Sequence, residues 1–410
     1  MGNVTKIKRC RVCGSKNLTL IFSLGEQYAS DFVDSKSKPL KAPLELVQCP
    51  TCSLVQLRHT VKRDLLYKTY WYKSGTQEAM VKALQNIVDG TLKKYKGWKR
   101  VRPFWLDIGA NDGTLLNCIH ADWQKYGFEP AENLVIAAEK VAPDAYIWND
   151  YFNTSWFERW TRKFNVISAI AMFYDLEDPN KFVSDVKSIL APDGVFVIQQ
   201  NYLLTMLQNN TYENISHEHL EYYSLKSLEF LLARHGLAVF DVALNEVNGG
   251  SLRTYVCHAG AYPEGWRVHA LREVEREKLN PKLISDFSFA IANSRMDLIH
   301  LLRKIKDSGK TCWGYGASNR GNTILQYLDE IIPVHVYITA FADRNPDKWG
   351  KYTVATNIPI RSEEYMRWAK PDYLLVLPYH FLDSFRAREV KLLASGTKMI
   401  IPLPRVRVVP

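Results

Sequence analysis

The fold is decided by the stretch Phe104-Trp-Leu-Asp-Ile-Gly-Ala-Asn-Asp-Gly113, in which an apolar strand leads into a glycine-rich turn. A helix is predicted from about Thr114, and Glu129 ends the next predicted strand, 22 residues after Asp107. Two strands joined by a helix, with an acid at the end of the second strand, are typical of a Rossmann-type βαβ unit. The stretch therefore predicts an α/β domain with a parallel sheet.

This glycine turn is not that of a dinucleotide site, because only a G-x-x-x-G pattern remains and Asp107 and Asp112 would repel a pyrophosphate. Acidic groups suit a ligand that has ribose hydroxyls and an amino or cationic end but no phosphate. S-adenosylmethionine (SAM) is such a ligand, and an ordinary strand–turn–helix without a ligand is the alternative. For the SAM site we predict Asp107, Gly109, Asn111, Asp112, Gly113, Glu129 and Asp150.

The chain divides into four segments by pattern. Residues 1–75 are rich in short strands and turns, and residues 76–258 alternate between helix and strand patterns. Residues 259–308 predict a helical connector with apolar residues spaced near the helical period. Residues 309–410 alternate again, which predicts a second parallel sheet. In this last segment we predict strands at 311–315, 338–342, 372–377 and 398–402 and a helix over about 319–330.

The composition is that of a folded protein of two or three domains, with 410 residues that are 47% apolar and 23% charged. It excludes a disordered chain, a collagen-like chain and a small disulfide scaffold. The net charge is +10, and residues 1–100 hold 19 Lys and Arg against 7 Asp and Glu. A basic balance indicates nucleic acid, an acidic membrane or a phosphorylated small molecule as partner, or else only a soluble basic surface.

The N-terminal segment MGNVTKIKRC is polar and lacks the apolar stretch of a signal peptide. The longest apolar runs, residues 373–378 and 398–403, have the length of strands. A membrane span needs roughly 20 apolar residues. We therefore expect a cytoplasmic protein without a membrane partner.

Four of the seven cysteines stand in two C-x-x-C pairs separated by 35 residues. Two such pairs can close a tetrahedral zinc site, and a reducing compartment favours metal over the alternative of disulfides. Because four thiolates leave no open position, we predict a structural Zn²⁺ bound by Cys10, Cys13, Cys49 and Cys52. A zinc site among lysines also fits nucleic-acid binding, but the basic residues are dispersed and lack interleaved aromatic residues.

The segment Ser216-His217-Glu218-His219 is the strongest candidate for catalysis. It lacks the H-E-x-x-H spacing that places two histidines one helical turn apart on a zinc ion. In an extended segment His217 and His219 would share one face and Glu218 would lie on the other. A carboxylate beside an imidazole raises its basicity and fixes its tautomer, so the segment predicts a general base with an orienting partner.

A second glycine turn follows a predicted strand in the stretch Thr311-Cys-Trp-Gly-Tyr-Gly-Ala-Ser-Asn-Arg-Gly321. Its G-x-G-x-x-x-x-G spacing is longer than a dinucleotide fingerprint before the last glycine. A helix N-terminus beside Arg320 could receive a diphosphate, and Asp343 and Arg344 follow the next strand. An NAD-binding oxidoreductase and a structural domain without a ligand are the alternatives.

Taken together, these motifs resemble those of the SAM-dependent C-methyltransferases that act on nucleotide-linked keto-deoxysugars, over nearly the whole chain and in the same order. The resemblance also rests on Tyr70-Trp-Tyr-Lys-Ser74, Tyr222-x-Ser224, Asn248-Gly-Gly-Ser-x-Arg253, Asp343-Arg-Asn-Pro-x-Lys348 and Asn357-Ile-Pro359. It implies an α/β protein with a small N-terminal zinc domain and a central class I Rossmann-like SAM methyltransferase domain. It further implies a C-terminal Rossmann-like α/β domain that helps to hold the nucleotide sugar.

The resemblance also implies roles for single residues, with Glu218 and His219 in proton abstraction and Tyr72 near the substrate. For donation to an enolate oxygen we consider Tyr72, Tyr222 and His217. The predicted substrate-binding residues are Asn201, Tyr202, Asn248, Arg253, Tyr315, Ser318, Asn319, Arg320, Asn322 and Arg344. The chain departs from the family pattern at Ser216, where the family has Tyr, and at Gln199-Gln-Asn-Tyr202, where it has Glu-x-Pro-Tyr.

The predicted reaction is C-methylation through an enolate, because carbon is a poor nucleophile until a proton beside a carbonyl is lost. Such a site needs a base and a donor to the enolate oxygen. We assign the base to His219 supported by Glu218, and we expect the basic first hundred residues to face a cleft for the diphosphate sugar. The alternatives are an O- or N-methyltransferase on another small molecule and a nucleic-acid methyltransferase. We expect a nucleotide-diphosphate sugar as partner rather than nucleic acid, and a monomer or weak homo-oligomer.

Overall fold

The computed structural model describes residues 2–29, 32–34, 40–67, 70–97 and 102–410. Its N-terminal region consists of β1 (Val4–Lys6), β2 (Thr19–Tyr28), β3 (Phe32–Val33), β4 (Lys41–Gln48), β5 (Val55–Leu57), β6 (His59–Val61) and α1 (Asp64–Tyr67). β2, β4 and β5 form an antiparallel sheet, and β1 pairs with β6. These short strands carry the two cysteine pairs at their turns.

The central region is an α/β unit built on a seven-stranded sheet. Its helices are α2 (Glu78–Lys94), α3 (Thr114–Cys118), α4 (Glu132–Val141), α5 (Pro179–Ile189), α6 (Leu203–Gln208) and α7 (Leu225–Ala233). Its strands are β7 (Phe104–Ile108), β8 (Gln124–Phe128), β9 (Ala145–Trp148), β10 (Phe164–Ile170), β11 (Leu190–Asn201), β12 (Glu221–Tyr222), β13 (Leu237–Asn245) and β14 (Ser251–His258).

The order of the central sheet is β13-β14-β11-β10-β7-β8-β9, and only β14 runs antiparallel to its neighbours among the described strands. All five residues of β7 are buried. This is expected of a strand in the middle of a parallel sheet, where helices cover both faces. The predicted α/β fold with a methyltransferase-type central sheet is confirmed.

Two helices connect this sheet to the last region, namely α8 (Trp266–Lys278) and α9 (Pro281–Asp307). α9 begins at a strong start signal, because Asn280 Oδ1 accepts a hydrogen bond from the Leu283 N–H at 3.1 Å and Pro281 occupies the first turn. Even this longest helix carries too many polar residues for a bilayer. Within the described ranges, none of the helices combines the length and the apolar character needed to cross a membrane.

The last region is a second α/β unit. Its elements are β15 (Cys312–Tyr315), α10 (Asn319–Asp329), β16 (Phe341–Asp343), β17 (Tyr352–Thr353), β18 (Ile360–Ser362), α11 (Glu363–Ala369), β19 (Tyr373–Val376), α12 (Leu382–Arg388), α13 (Val390–Ala394), β20 (Lys398–Ile401) and β21 (Arg407–Val409). The sheet order is β18-β16-β15-β19-β20-β21, with β21 antiparallel to β20. β15, β16, β19, β20 and α10 lie within a few residues of the predicted elements, whereas β17, β18 and β21 have no predicted counterpart.

Two strand pairings join the regions to one another. β12, which comes directly after the Ser-His-Glu-His segment, pairs with β5 and so extends the N-terminal sheet. β17 of the last region pairs with β3. The N-terminal region therefore contacts both α/β units through backbone hydrogen bonds, an arrangement that the sequence pattern does not indicate.

Candidate active site

A cleft of about 1220 Å³ lies where the two α/β units meet residues 63–67 and 70–77. Most of the predicted cofactor and substrate residues are brought together here. Those that line the cleft are Tyr72, Asp107, Gly109, Asn111, Glu129, Asp150, Glu218, His219, Asn248, Tyr315, Ser318, Asn319, Arg320 and Arg344. The predicted SAM turn and the predicted substrate turn thus face a single cavity.

The central glycine turn carries a buried carboxylate at its rim. Glu129 follows β8, and its Oε2 accepts a hydrogen bond from the Asn111 N–H at 2.9 Å while its Oε1 accepts one from the Ala131 N–H at 2.9 Å. Burial raises the pKa of Glu129 to about 7. A carboxylate offers about four lone-pair positions, so Glu129 can also accept hydrogen bonds from the hydroxyls of a ribose.

Asp107 and Asp150 add two further carboxylates along the same sheet edge. Asp107 Oδ1 accepts a hydrogen bond from Ser168 Oγ at 2.6 Å, and burial raises the pKa of Asp107 to about 8. Gly109 has a φ of 76°, and a Cβ at this position would lie 3.0 Å from Met172 Cγ. Glycine therefore keeps the turn open. An open turn among carboxylates fits the hydroxyl and amino groups of SAM.

Asp112 and Gly113, both predicted to contact SAM, are not among the described residues that line the cleft. Both have contacts elsewhere. Asp112 Oδ1 accepts a hydrogen bond from Thr114 Oγ1 at 2.6 Å, and its Oδ2 accepts one from the Gly75 N–H at 2.8 Å. Gly113 has a φ of 77°, and a Cβ there would lie 3.1 Å from Ala138 Cα. Asp112 therefore holds neighbouring segments, and Gly113 permits the close approach of α3 and α4.

The backbone of the segment around Tyr72 is fixed to the glycine turn by hydrogen bonds with the Asn111 side chain. Asn111 Nδ2 donates to the Tyr72 carbonyl at 3.2 Å, and Asn111 Oδ1 accepts from the Ser74 N–H at 3.0 Å. The Tyr72 side chain is 41% exposed and lines the cleft. The N-terminal region therefore supplies one wall of the predicted SAM site.

His219 has the geometry of a general base. Its Nδ1 lies 2.7 Å from the Asn214 carbonyl oxygen. Because a carbonyl can only accept, Nδ1 carries the proton and Nε2 keeps its lone pair in the neutral ring. The ring packs edge-on against Tyr174 with 4.4 Å between ring centroids. Burial, together with the charge of Arg320, lowers the pKa of His219 to about 3, so the ring is neutral near pH 7.

Glu218 lies in the cleft, but it does not orient His219 in the predicted way. Its Oε2 accepts a hydrogen bond from the Tyr70 hydroxyl at 3.2 Å, and its Oε1 accepts one from Asn319 Nδ2 at 3.1 Å. The carboxylate thus links the N-terminal region to the start of α10. The partner of the His219 Nδ1–H is the Asn214 carbonyl instead.

The prediction that His217 and His219 share a face is wrong, because residues 216–219 form a turn closed by a hydrogen bond from the His219 N–H to the Ser216 carbonyl at 3.1 Å. His217 Nε2 donates to the Ala42 carbonyl on β4 at 2.9 Å, and burial lowers the pKa of His217 to about 4. His217 is not among the described residues that line the cleft. It holds the segment against the N-terminal sheet.

Tyr222 also lies outside the described lining of the cleft and is not placed to contact a substrate. Its hydroxyl donates to the Asn214 carbonyl at 3.2 Å, which is the same oxygen that receives the His219 Nδ1–H. Tyr222 therefore helps to fix the carbonyl group that orients His219. Ser216, where the family pattern has Tyr, is 1% exposed and is likewise outside the described lining.

Arg320 connects the last region to Asn214, the residue whose carbonyl orients His219. Its Nη1 donates to Asn214 Oδ1 at 2.7 Å, and its Nη2 donates to Asn248 Oδ1 at 2.9 Å. Ser318 caps α10, because its Oγ accepts a hydrogen bond from the Gly321 N–H at 3.0 Å. The second glycine turn and the Asn248 loop therefore close on one another beside His219.

The cations of the cleft come mainly from the last region, contrary to the expectation that the basic first hundred residues face it. From residues 1–100, the described cations in the lining are Arg63 and Lys73. The last region contributes Arg320, Arg344, Lys348 and Arg388. Arg388 Nε also donates to the Tyr315 hydroxyl at 3.1 Å, which places Tyr315 in a charged network rather than alone in the cleft.

Tyr202 and Arg253, both predicted to bind substrate, have structural partners and lie outside the described lining. The Tyr202 hydroxyl donates to Glu275 Oε1 at 2.8 Å. Arg253 Nε donates to Gln199 Oε1 at 2.8 Å, and its Nη1 donates to the Asn86 carbonyl at 3.1 Å. These bonds tie α8 and α2 to the central sheet.

Asn201 and Asn322 are the other two predicted substrate residues outside the described lining. Asn201 Nδ2 donates to Asn214 Oδ1 at 2.7 Å, so it supports Asn214 from behind. Asn322 lies within α10 and is 1% exposed. Both residues lie next to the site without facing the cavity.

Two buried cleft residues are not among the predicted site residues. Gln200, at the carboxyl end of β11, is 3% exposed, and its side-chain nitrogen and oxygen have no hydrogen-bond partner among the described residues. Ligands of α/β sheets bind at the carboxyl ends of the strands, so the position of Gln200 at such an end could have indicated it. Glu213 is 2% exposed and belongs to the short 3-10 helix Tyr212–Asn214, where the local sequence carries no signal.

The four predicted metal ligands lie together at the N-terminal turns. The Sγ atoms of Cys10, Cys13, Cys49 and Cys52 are all within 4.8 Å of one another. In a tetrahedral site with Zn–S bonds of about 2.3 Å the sulfurs stand about 3.8 Å apart, so the set fits Zn²⁺. Gln56 Nε2 donates to Cys10 Sγ at 3.2 Å, as expected beside a ligating thiolate.

The seven-stranded sheet, the open glycine turn and the carboxylates at its strand ends define the class of SAM-dependent methyltransferases. Comparison with models of known protein families gives the same class. A zinc binding domain matches residues 10–67, a methyltransferase domain matches residues 80–242 and a C-methyltransferase C-terminal domain matches residues 246–404. These three matches, in this order along the chain, show a SAM-dependent methyltransferase with an N-terminal zinc-binding domain and a C-methyltransferase C-terminal domain.

A curated relative is similar along the whole chain. The chain is 28% identical over 424 residues to the C-methyltransferase NovU of Streptomyces niveus, covering 99% of this chain and 98% of that protein. Two solved structures cover 44% of this chain at 14% identity, and both have low TM-scores. They are a SAM-dependent methyltransferase of Clostridium acetobutylicum ATCC 824 (92% of that chain, TM-score 0.35) and the plantazolicin methyltransferase BpumL with SAH (86% of that chain, TM-score 0.37).

Proposed function

We propose that the enzyme C-methylates a nucleotide-linked keto-deoxysugar through an enolate. The observation that carries the proposal is the hydrogen bond from His219 Nδ1 to the Asn214 carbonyl. This bond keeps the proton off Nε2 of a ring that lines the cleft. A neutral imidazole with an unprotonated nitrogen is what abstraction of a proton beside a ketone requires.

In the first step the α-hydrogen of the ketone leaves as a proton, which forms a bond to His219 Nε2. The electron pair of the broken C–H bond forms the C=C bond of the enolate, and the π pair of the carbonyl group moves onto its oxygen. The pKa of His219 is about 3 without substrate because of burial and the nearby charge of Arg320. The negative charge that develops on the substrate raises this pKa during the step, since an opposite charge favours the imidazolium.

The enolate oxygen needs a donor, and Tyr72 and Arg320 both line the cleft. We assign the donor role to the Tyr72 hydroxyl, because Arg320 already donates to Asn214 and Asn248. Glu129, Asp107 and Asp150 would hold the hydroxyl and amino groups of SAM. When bound, SAM supplies an electrophilic methyl group. Holding the two reactants in one cavity removes much of the entropic barrier.

The diphosphate of the substrate is assigned to the last region. Arg344, Lys348 and Arg388 line the cleft on that side, and the capped start of α10 opens onto it. Guanidinium groups bind phosphate oxygens in a bidentate manner, which suits a diphosphate. The cytoplasmic location and the monomeric or weakly oligomeric state remain predictions from the sequence.

Exchange of the α-proton in D₂O tests the proposal. Wild-type enzyme, incubated with thymidine or uridine diphosphate 4-keto-6-deoxyhexoses, should incorporate deuterium beside the carbonyl. His219→Asn retains a donor for the Asn214 carbonyl and removes Nε2. This variant should lose exchange and methyl transfer by about 1000-fold, a typical contribution of a general base, while its affinity for SAM stays unchanged.

His217→Gln is the matched control, because the amide nitrogen of Gln can still donate to the Ala42 carbonyl. This variant should retain exchange. Exchange at the wild-type rate in His219→Asn would refute the assignment of the base. An absence of exchange in the wild type with every keto sugar would instead favour O- or N-methyl transfer.

A further inference from the structure

We propose that Glu213 selects the substrate by accepting a hydrogen bond from a hydroxyl or amino group of the sugar near the reacting carbon. This inference rests on the proposed function and adds a residue that none of the sequence motifs contains. Glu213 lines the cleft and is 2% exposed.

The two oxygens of the Glu213 carboxylate have different surroundings. Oε1 accepts hydrogen bonds from the Tyr379 hydroxyl at 2.9 Å and from His380 Nε2 at 3.3 Å. Oε2 is buried and has no hydrogen-bond partner among the described residues. One oxygen therefore fixes the carboxylate, and the other is left for a donor that the described part of the chain does not provide.

The carboxylate stands next to the residue that orients the base. Glu213 and Asn214 are consecutive in the 3-10 helix Tyr212–Asn214. The Asn214 carbonyl accepts the His219 Nδ1–H, and its side chain accepts a bond from Arg320. A group bound by Glu213 would therefore lie on the substrate side of the base rather than at the SAM turn.

Residues from both α/β units build this position. Tyr379 and His380 come from the short helix that follows β19, and Gly249 belongs to the loop between β13 and β14. Gly249 has a φ of 87°, and a Cβ there would lie only 2.6 Å from His380 Cε1. The absence of a side chain at Gly249 lets His380 approach and donate to Glu213.

A buried acceptor without a donor is unfavourable, so the free oxygen favours a ligand that brings one. A site built to hydrogen-bond a substrate hydroxyl or amine also rejects the analogue that lacks it, since the buried acceptor then stays unpaired. The carboxylate would accept from a neutral hydroxyl and would bind a protonated amine more strongly through its charge.

The test compares three ligands on wild-type enzyme and Glu213→Gln. They are thymidine or uridine diphosphate 4-keto-6-deoxyhexoses that carry a hydroxyl, an amino group or only hydrogen at the carbon next to the carbonyl. Wild-type kcat/KM should favour the hydroxyl or the amino compound over the deoxy compound by on the order of 100-fold. Glu213→Gln, which replaces the free acceptor with an amide of the same shape, should reduce that preference below about tenfold.

Glu246→Gln is the matched control, because Glu246 is exposed and lies outside the described lining of the cleft. It should keep the wild-type preference. A wild-type enzyme that reacts equally with all three ligands refutes the inference, whether or not Glu213→Gln folds. A Glu213→Gln variant that keeps the full preference refutes it as well. If the wild type shows neither exchange nor methyl transfer with any of the ligands, this result refutes the proposed function. The inference about Glu213, which rests on that function, is then refuted as well.

Discussion

The central and last α/β units hold their glycine turns in the same way, with an acid from the end of the second strand. In the central unit Glu129 accepts a hydrogen bond from the Asn111 N–H at 2.9 Å. In the last unit Asp343 accepts one from the Ala317 N–H at 2.8 Å. The environments of the two acids differ, because Lys348 Nζ lies 3.4 Å from Asp343 Oδ2, whereas burial raises the pKa of Glu129 to about 7.

This difference shows how one backbone arrangement can serve two classes of ligand. An acid paired with a lysine leaves a turn that tolerates anions, and further cations line the cleft on that side. A buried acid at the other turn favours donors such as ribose hydroxyls and repels phosphate. The charge around the acid, rather than the glycine spacing, separates the two turns.

For the two glycine turns, the largest expected effect on affinity comes from Glu129→Gln, which removes the charge from the central turn. A hydrogen bond to a charged group is worth about 1.5–3 kcal/mol, so SAM affinity should fall by about 10-fold to 100-fold, measured by titration calorimetry. Asp343→Asn makes the same change at the other turn and should leave SAM affinity within about twofold. Equal losses in both variants would contradict the division of ligands between the turns.

The pH dependence of SAM binding sharpens the comparison. Glu129 is protonated below its pKa of about 7 and then accepts fewer hydrogen bonds, so SAM should bind more weakly as the pH falls. The contribution of Glu129 should make the dissociation constant about tenfold larger at pH 6 than at pH 8. Below the pKa, the fraction of Glu129 that is ionised falls about tenfold per pH unit. The pKa of about 8 of Asp107 acts in the same direction. Glu129→Gln should remove this tenfold dependence and leave only the dependence that comes from Asp107, and a flat profile in the wild type would show that Glu129 does not contact SAM.

A smaller effect is expected from Arg344→Ala at the second turn. Arg344 is exposed at the rim of the cleft, where a charged contact is worth about 1 kcal/mol. The affinity for uridine or thymidine diphosphate should therefore fall about fivefold, with SAM affinity unchanged. Arg361→Ala removes an exposed arginine on β18 outside the described lining and should change neither. A loss of SAM affinity in Arg344→Ala alone would place the diphosphate elsewhere.

The parts that the sequence predicts well are those that local spacing determines. Two C-x-x-C turns bring four sulfurs together, and each strand–turn–helix places its glycine turn at the edge of a sheet. These predictions succeed because the contacts are between residues close together in the chain, and a tight turn allows few backbone conformations. The α/β fold follows from the same alternation of strands and helices.

The parts that fail depend on partners far away in the chain. Arg253 has the residue type of a substrate ligand, but Asn86 and Gln199 surround its guanidinium. His217 and His219 were expected on one face because an extended segment alternates, whereas the backbone turns at this point. Glu213 meets Tyr379 across 166 residues, a distance over which the sequence pattern holds no information.

The pairing of β12 with β5 and of β17 with β3 has a consequence for the synthesis of the protein. Chains emerge from the ribosome with the N-terminus first, so β3 and β5 are made long before residues 352–353 and 221–222 are available. Until then β5, at one edge of the N-terminal sheet, and the separate strand β3 lack the strands that pair with them. Unpaired strand edges are sites of aggregation in nascent proteins. The zinc-binding region is thus finished last although it is made first, and expressing it alone would leave β5 and β3 without their partner strands.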